Sequence, residues 1–399
     1  MRFMTANRPL ACVMGDMDLV RPLGLAGIRC AVVTPSDGLP QFSRFAAETI
    51  FWPDEEIADG AEALLDRLVQ FGTRQPSRPV LFYEQDAQLL FVSRHRDTLS
   101  EAFRFVVADR SLVEDLVDKG RFQMLAERLK LPVPQGCLVH SAAGSLPPGL
   151  DLRFPVVVKP LWRRTSWAEA AKVVQVDTPD ALRAAWPRWA ERDVDLIIQE
   201  MIPGDETHIE SYHVYVDAQG MIAGEFTGRK IRTFPTAHGY STALTITAAD
   251  DVAALGRRLC AELGLRGVAK FDFKRDPEGR LHLLEVNPRF NLWHHLGAVA
   301  GVNLPALVFA DLAGLPRPAA RLRRVGVRWC RFTEDWRAAR EGGMPFRTWL
   351  PWALSCEATS LTWDDPMPFA QALWRAVAAR VANRLPSMVW HSHSAVSSR

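Results

Sequence analysis

The stretch Gly267-Val-Ala-Lys-Phe-Asp-Phe-Lys-Arg-Asp-Pro-Glu-Gly-Arg-Leu-His-Leu-Leu-Glu-Val-Asn-Pro-Arg-Phe290 decides how the chain reads. Val268 to Lys274 and Leu281 to Val286 are β-type runs, and Asp276-Pro-Glu-Gly279 between them is strong turn chemistry, which predicts a hairpin. A four-residue loop over 276–279 pairs Arg275 with Arg280, Asp272 with Leu283 and Lys270 with Glu285. Because side chains alternate along a strand, Lys270, Asp272, Leu283, Glu285 and Asn287 then share a face. Two acids, an amide and a lysine on an otherwise apolar sheet are costly to desolvate unless a cation sits there. Oxygen ligands of this kind suit Mg2+ or Mn2+, with phosphates completing the shell. The competing reading is an exposed hairpin whose charges are simply solvated.

The Glu285-Val-Asn-Pro-Arg289 ending resembles the metal-binding strand of the ATP-grasp superfamily, in which an acid on one strand is followed by Glu-x-Asn-x-Arg on the next. Asp272, Glu285, Asn287 and Arg289 match that pattern. The resemblance covers roughly residues 1–315. It implies an α/β (α+β grasp) protein: a doubly wound domain over 1–112, then an ATP-grasp domain over 113–315 with lobes 113–198 and 199–315. Residues 316–399 would form a C-terminal, tryptophan-rich, helical extension.

Composition fits that architecture. A chain of 399 residues predicts two or three domains. Its 48% apolar and 24% charged content is that of a globular protein, and a net charge of +2 makes no case for nucleic-acid binding. The six cysteines are scattered without a CxxC, which argues against a zinc site or a disulfide framework. The N-terminus lacks an apolar signal core and no run of about 18 apolar residues occurs, so the expected location is the cytoplasm. Expected partners are a small-molecule carboxylate and an amine, with a homo-oligomer allowed.

Taken in order, Leu10 to Met14, a helical stretch and Cys30 to Thr34 form a β-α-β opening. An amphipathic helix around 60–71, a strand from Val80 to Tyr83, a helix near 86–97 and a strand from Phe103 to Ala108 continue the alternation. Tyr83-Glu-Gln-Asp86 lies at a strand's carboxyl end, where open α/β sheets place ligands, although polar loop residues also explain it. Leu112 to Leu131 reads as one amphipathic helix carrying Lys119. Phe154-Pro-Val-Val-Val-Lys-Pro160 is a buried strand with a single charge, Lys159, which is expensive unless an anion accompanies it.

The resemblance gives these residues roles. Lys119 and Lys159 would reach the nucleotide phosphates, and Lys172 would join them from the flap over 161–172. That flap departs from the family pattern: it lacks glycine and offers Arg163, Arg164 and Lys172 instead. The backbone of Glu200, Met201 and Ile202 would pair with adenine at the hinge between the lobes. Glu206 would hold the ribose hydroxyls, with Asp205 as its competitor. Asp272, Glu285 and Asn287 would hold Mg2+ (or Mn2+), while Lys270 and Arg289 face the transferred phosphoryl group. The implied reaction is ATP-dependent carboxylate–amine ligation, with a kinase or a non-catalytic nucleotide-binding protein as alternatives. His294 and His295, adjacent on one helix, point about 100° apart and are not a metal pair. The late helix Phe369 to Leu385 reads as packed on the core, with a membrane-surface helix as the alternative.

Overall fold

The computed structural model describes residues 9–52, 60–140, 146, 150–161, 173–191, 194–236, 239–319 and 323–382. Lys172, Arg163, Arg164 and the 391–399 tail lie outside the described residues.

The first sheet has the order β3-β2-β1-β4, from β1 (Ala11–Met14), β2 (Cys30–Thr34), β3 (Ala46–Phe51) and β4 (Val80–Tyr83), all parallel. Parallel neighbours need crossovers, and helices α1 (Met17–Leu25) and α2 (Ala61–Arg74) supply two. β1, β2 and β4 are buried along their whole length, which is why they read as unbroken apolar runs.

The expected strand Phe103–Ala108 does not form. Arg104 alone bridges Val80, and the Val106 carbonyl accepts from the Tyr83 hydroxyl at 2.7 Å, which holds the segment beside the sheet without extending its ladder. Downstream of α3 (Asp86–Arg94) and α4 (Arg96–Ala102), the expected single helix over 112–131 is two, α5 (Arg110–Val117) and α6 (Lys119–Leu129). Asp118 between them is extended, and its carboxylate accepts from the Arg121 N–H at 2.8 Å. An Asp that caps a new helix ends the old one.

The second sheet has the order β5-β8-β6-β7 and is antiparallel, from β5 (Gly136–His140), β6 (Val156–Pro160), β7 (Val174–Val176) and β8 (Asp195–Glu200). Helix Pro179–Ala190 covers it with Leu182, Trp186 and Trp189, which pack with Val156, Val158, Leu196 and Ile198 in a core of their own.

The third sheet has seven strands in the order β13-β12-β9-β10-β11-β14-β15. Its antiparallel body is β9 (Ile209–Val216), β10 (Ile222–Phe234), β11 (Tyr240–Thr247), β12 (Gly267–Arg275) and β13 (Leu281–Asn287). The hairpin forms, but in a different register from the one expected. Arg275 pairs with Leu281 rather than Arg280, Asp272 with Glu285 rather than Leu283, and Lys270 with Asn287 rather than Glu285. The loop is one residue longer because Asp276 folds it inward: its carboxylate accepts from the Arg280 N–H at 2.8 Å. An irregularity between Asp272 and Phe273 then leaves Leu284 as an extra residue, a bulge that re-aims the strand. Leu283 consequently packs in the core with Phe271, Phe273 and Val286, leaving the polar face to the charged residues.

The C-terminal stretch is not purely helical. Arg328–Cys330 (β14) pairs with β11, and Ala358–Thr359 (β15) runs parallel to β14. Two buried ion clusters fasten it. Arg21 of α1 donates to the Thr359 and Ser360 carbonyls and lies 3.8 Å from Asp365. Asp335, fully buried, accepts from Arg232 twice, at 2.8 and 2.7 Å, from Thr242 at 3.0 Å and from Trp349 at 2.8 Å. The late helix runs from Met367 to Ala382, with Leu373, Trp374 and Val377 facing outward. No single helix among the described residues is long and apolar enough to cross a membrane.

Candidate functional site

The β12–β13 hairpin places its polar face where the second and third sheets approach each other. Lys270 Nζ lies 2.6 Å from Asp272 Oδ2 and 3.6 Å from Glu285 Oε1, and the Asn287 amide donates to Glu285 Oε1 at 2.9 Å. The other Asp272 oxygen accepts from the Ser211 hydroxyl at 2.5 Å. Asp272 is 4% exposed, whereas the Glu285 side chain is 55% exposed: one carboxylate is anchored and the other reaches into open space. Burial alone would raise the Asp272 carboxyl, but the Lys270 ammonium, with Lys230 beyond it, holds it below the ordinary range. Burial likewise works against the Lys270 charge, and Asp272 with Glu285 more than restores it.

Asp272 and Glu285 line two adjoining cavities. The first, of 240 Å³, is closed by the hinge residues Gln199, Glu200, Met201 and Ile202, with Lys159, Lys230 and Lys274 on its walls. Lys159 Nζ donates to Gln199 Oε1 at 3.2 Å, and burial lowers its pKa despite the pull of Glu285 and Glu206. Burial also lowers Lys274. Glu206 faces this cavity, 3.4 Å from Lys230, while Asp205 turns back to cap its own loop by accepting from the Thr207 N–H at 2.8 Å. Asp205 thus spends its carboxylate on its own loop, and Glu206 is the one of the two acids that lines this cavity. Two hinge groups are engaged outside the cavity: the Met201 N–H donates to the Pro155 carbonyl, and the Glu200 carboxylate accepts from the Arg153 N–H.

The second cavity, of 780 Å³, reaches from the hairpin to the carboxyl ends of β1, β2 and β4, with Gly15, Asp16, Asp37 and Glu84 on the far wall. Arg289 spans the gap, donating to Asp86 at 2.5 Å, to the Glu84 carbonyl at 2.8 Å and to Asn287 Oδ1 at 3.3 Å. Glu84 is half-buried. Burial first, then the nearby Asp16, push its carboxyl up to about 7, against the hydrogen bond from the Asp16 N–H. Lys119 opens onto a third cavity on the other side of Lys159, with its Nζ donating to the Pro160 carbonyl at 2.8 Å.

A four-stranded sheet and a larger antiparallel sheet gripping a lysine-lined cleft, behind a parallel α/β unit, is also the arrangement of known nucleotide-binding ligases. N5-carboxyaminoimidazole ribonucleotide synthetase, solved as an ADP complex, superposes with a TM-score of 0.61 over 81% of each chain at 18% identity. A family model described as ATP-grasp in the biosynthetic pathway with Ter operon matches residues 192–333, which hold the hinge and the hairpin. The chain has the ATP-grasp fold, and within residues 192–333 it matches an ATP-grasp family model.

Two curated relatives of this chain are ligases. D-aspartate ligase of Enterococcus faecium (strain Aus0004) is 26% identical over 238 residues, 57% of this chain and 56% of the relative. D-alanine–D-alanine ligase of Pseudomonas putida (strain GB-1) is 26% identical over 215 residues, 49% of this chain and 64% of the relative. The match therefore spans less than two thirds of either relative's length.

Several residues of the cleft escaped the sequence reading. Lys274 continues the 270, 272 alternation, and that period of two was the signal for it. Lys230 was visible only as a basic residue on a strand face. Gln199 carried no signal, because its position depends on contacts between distant segments, and Glu84 was marked only as part of the Tyr83-Glu-Gln-Asp86 turn at a strand's carboxyl end.

Proposed function

We propose that this protein is an ATP-dependent ligase that activates a carboxylate as an acyl phosphate and joins it to an amine, releasing ADP and phosphate. The observation that carries this reading is the shared wall of two cavities. Asp272 and Glu285 border both a hinge-closed, lysine-lined cleft and a larger chamber against the α/β unit. A nucleotide in the first and an acid in the second would meet at the hairpin.

The residues fit both groups. Lys159 is a cation depressed by burial whose hydrogen bond goes to a neutral amide, so an anionic phosphate relieves it. Asp272, Glu285 and Asn287 are hard oxygen donors, and the two carboxylates already draw the Lys270 ammonium between them. Among the described residues no three His, Cys, Asp or Glu side chains form a metal cage, so water and phosphate must complete the shell. When bound there, Mg2+ would neutralise the β and γ phosphates and lower the charge barrier to transfer.

In this reading Lys159, Lys230 and Lys274 bind the phosphates, Glu206 takes the ribose, and the 200–202 backbone takes the base. Lys119, on the neighbouring cavity, remains a proposed phosphate contact, as does Lys172, which lies outside the described residues. Lys270 and Arg289 orient the γ-phosphoryl group and the carboxylate that attacks it, and Arg289 ties that geometry to Asp86 of the α/β unit. Positioning and charge neutralisation do the work.

Thermal unfolding and ADP release test the proposal. ATP with Mg2+ should raise Tm well beyond either alone, and ADP should appear when amino acids are supplied as acid and amine. Equal stabilisation by ATP with and without chelator would remove the metal assignment. Tight ATP binding without turnover on any acid–amine pair would favour the non-catalytic alternative.

A further inference from the structure

The far wall of the larger cavity holds a carboxylate that nucleotide binding and phosphoryl transfer leave unused. Glu84 follows β4 directly, and its Oε2 accepts from the Asp16 N–H at 2.6 Å. Among the described residues no hydrogen bond reaches its Oε1. Gly15 makes room for this pose, since a β-carbon there would stand 2.8 Å from Oε2 and 3.1 Å from the Glu84 Cβ. The Glu84 carbonyl accepts from Arg289 at 2.8 Å, so the residue is tied by its backbone to the group placed beside the transferred phosphoryl.

The charges facing it come from three directions. Asp16 and Asp18 belong to the start of α1, and Arg331 follows β14. Arg331 is already shared, 3.1 Å from Asp18 and 3.6 Å from Asp16. Lys270, Asp272 and Glu285 face it across the cavity, with Lys230 and Asp37 at its margins. Glu84 thus keeps one oxygen available to a cationic ligand.

We propose that Glu84 seats the ammonium of the amine substrate and takes its proton. The inference rests on the ligase reading above. An amine enters as R–NH3+. Glu84 Oε1 accepts one proton, and the freed nitrogen lone pair forms the C–N bond to the acyl phosphate. The C–O bond to phosphate breaks with its electron pair, and the second nitrogen proton leaves with phosphate as HPO4 2−. The proton on Glu84 then passes to solvent. A carboxyl that titrates near neutrality suits the task, because it is ionised at working pH and still basic enough to accept.

Hydroxylamine separates the two steps, because it is uncharged at neutral pH and traps acyl phosphates without losing a proton first. The twenty common amino acids and their D-enantiomers serve as acids. Glycinamide, methylamine and the same amino acids serve as amines. Glu84→Gln should form hydroxamate within about threefold of wild type and lose about a hundredfold or more in amide formation. The wild-type amide rate should rise through pH 7 and level off, and in the variant that rise should move to the alkaline range where the amine itself deprotonates. Gly15→Ala, which displaces the carboxylate without changing its charge, should lower amide formation and spare hydroxamate. Equal loss of both products in Glu84→Gln, or undiminished amide formation, overturns the proposal while leaving the ligase reading in place. No hydroxamate from any acid with the wild type overturns the ligase reading and this proposal with it.

Discussion

Glu285→Gln keeps the shape of the hairpin's exposed acid and removes one negative charge from the border between the cavities. The Asn287 bond to Glu285 Oε1 survives, because a glutamine oxygen accepts equally well, so the hairpin should stay within about 0.5 kcal/mol of wild-type stability. If the charge steadies a cation during transfer, turnover should fall on the order of a hundredfold, roughly 3 kcal/mol, with ATP affinity changed far less. Single-turnover ADP formation alongside nucleotide titration measures both, and near-normal turnover would return Glu285 to the role of a solvated strand residue. Asp272 is a poorer choice for this test, because its loss would leave the largely buried Lys270 without its nearest partner.

Elements in this protein are fastened by buried charge as much as by apolar packing, and Asp335 is the clearest case. Helix Phe332–Glu341 offers this one carboxylate to Arg232 on β10, Thr242 on β11 and Trp349 on the next helix. Arg232 also stacks over Trp352 at 3.8 Å. Asp335→Ala should therefore cost about 3–5 kcal/mol, since it strands a largely buried guanidinium. A urea-midpoint shift within error of wild type would refute this. The same elements show what a sequence can disclose. The β4, β6 and β8 runs, the hinge and the polar face of the hairpin were legible because burial on both faces or strict alternation writes itself into residue order. The hairpin register was not, because it turned on the Asp276 side chain folding into the loop and on the bulge at Leu284. The 112–131 stretch is two helices for a related reason: the short Asp118 carboxylate caps the second one, a role the periodicity of the run does not reveal. β14 and β15 are three and two residues long, too short for periodicity to register, and their partners lie distant in sequence. The cleft followed the same rule: the strand alternation of the hairpin and the turn holding Glu84 could be read locally, whereas the place of Gln199 in the cleft needed the tertiary fold.

The whole molecule carries an acid sensitivity that its composition conceals. His213, His294 and His295 are buried, and among the described residues neither ring nitrogen of His213 or His294 has a hydrogen-bond partner. Burial lowers His294 and His295 to about 3 and His213 well below its ordinary value. The unfolded chain binds these protons near pH 6.5, whereas in the folded chain His294 and His295 take theirs only near 3 and His213 well below its ordinary value. Stability is therefore intact above about pH 6.5 and falls as pH drops, with each histidine contributing up to about 1.4 kcal/mol per pH unit. Urea midpoints at pH 7.5 and 5.5 should differ markedly, and His294→Leu should reduce the difference. A flat profile would mean that these rings find partners when protonated. The second sheet, whose tryptophan core contains none of these histidines, should be the last part to feel the acid.

The pairing of β14 with β11 also bears on how the chain is kept apart from its own copies. β11 is eight residues long, free of proline and mostly buried, with Ala243, Leu244 and Thr245 standing opposite Cys330, Trp329 and Arg328 in the ladder. Were the chain cut before residue 328, those backbone groups would become the open margin of the large sheet. A long, flat, apolar margin of that kind recruits strands from neighbouring molecules. The short β14 and β15 work as a hem, and a truncated protein that remains monodisperse at high concentration in light scattering would show that the hem is dispensable.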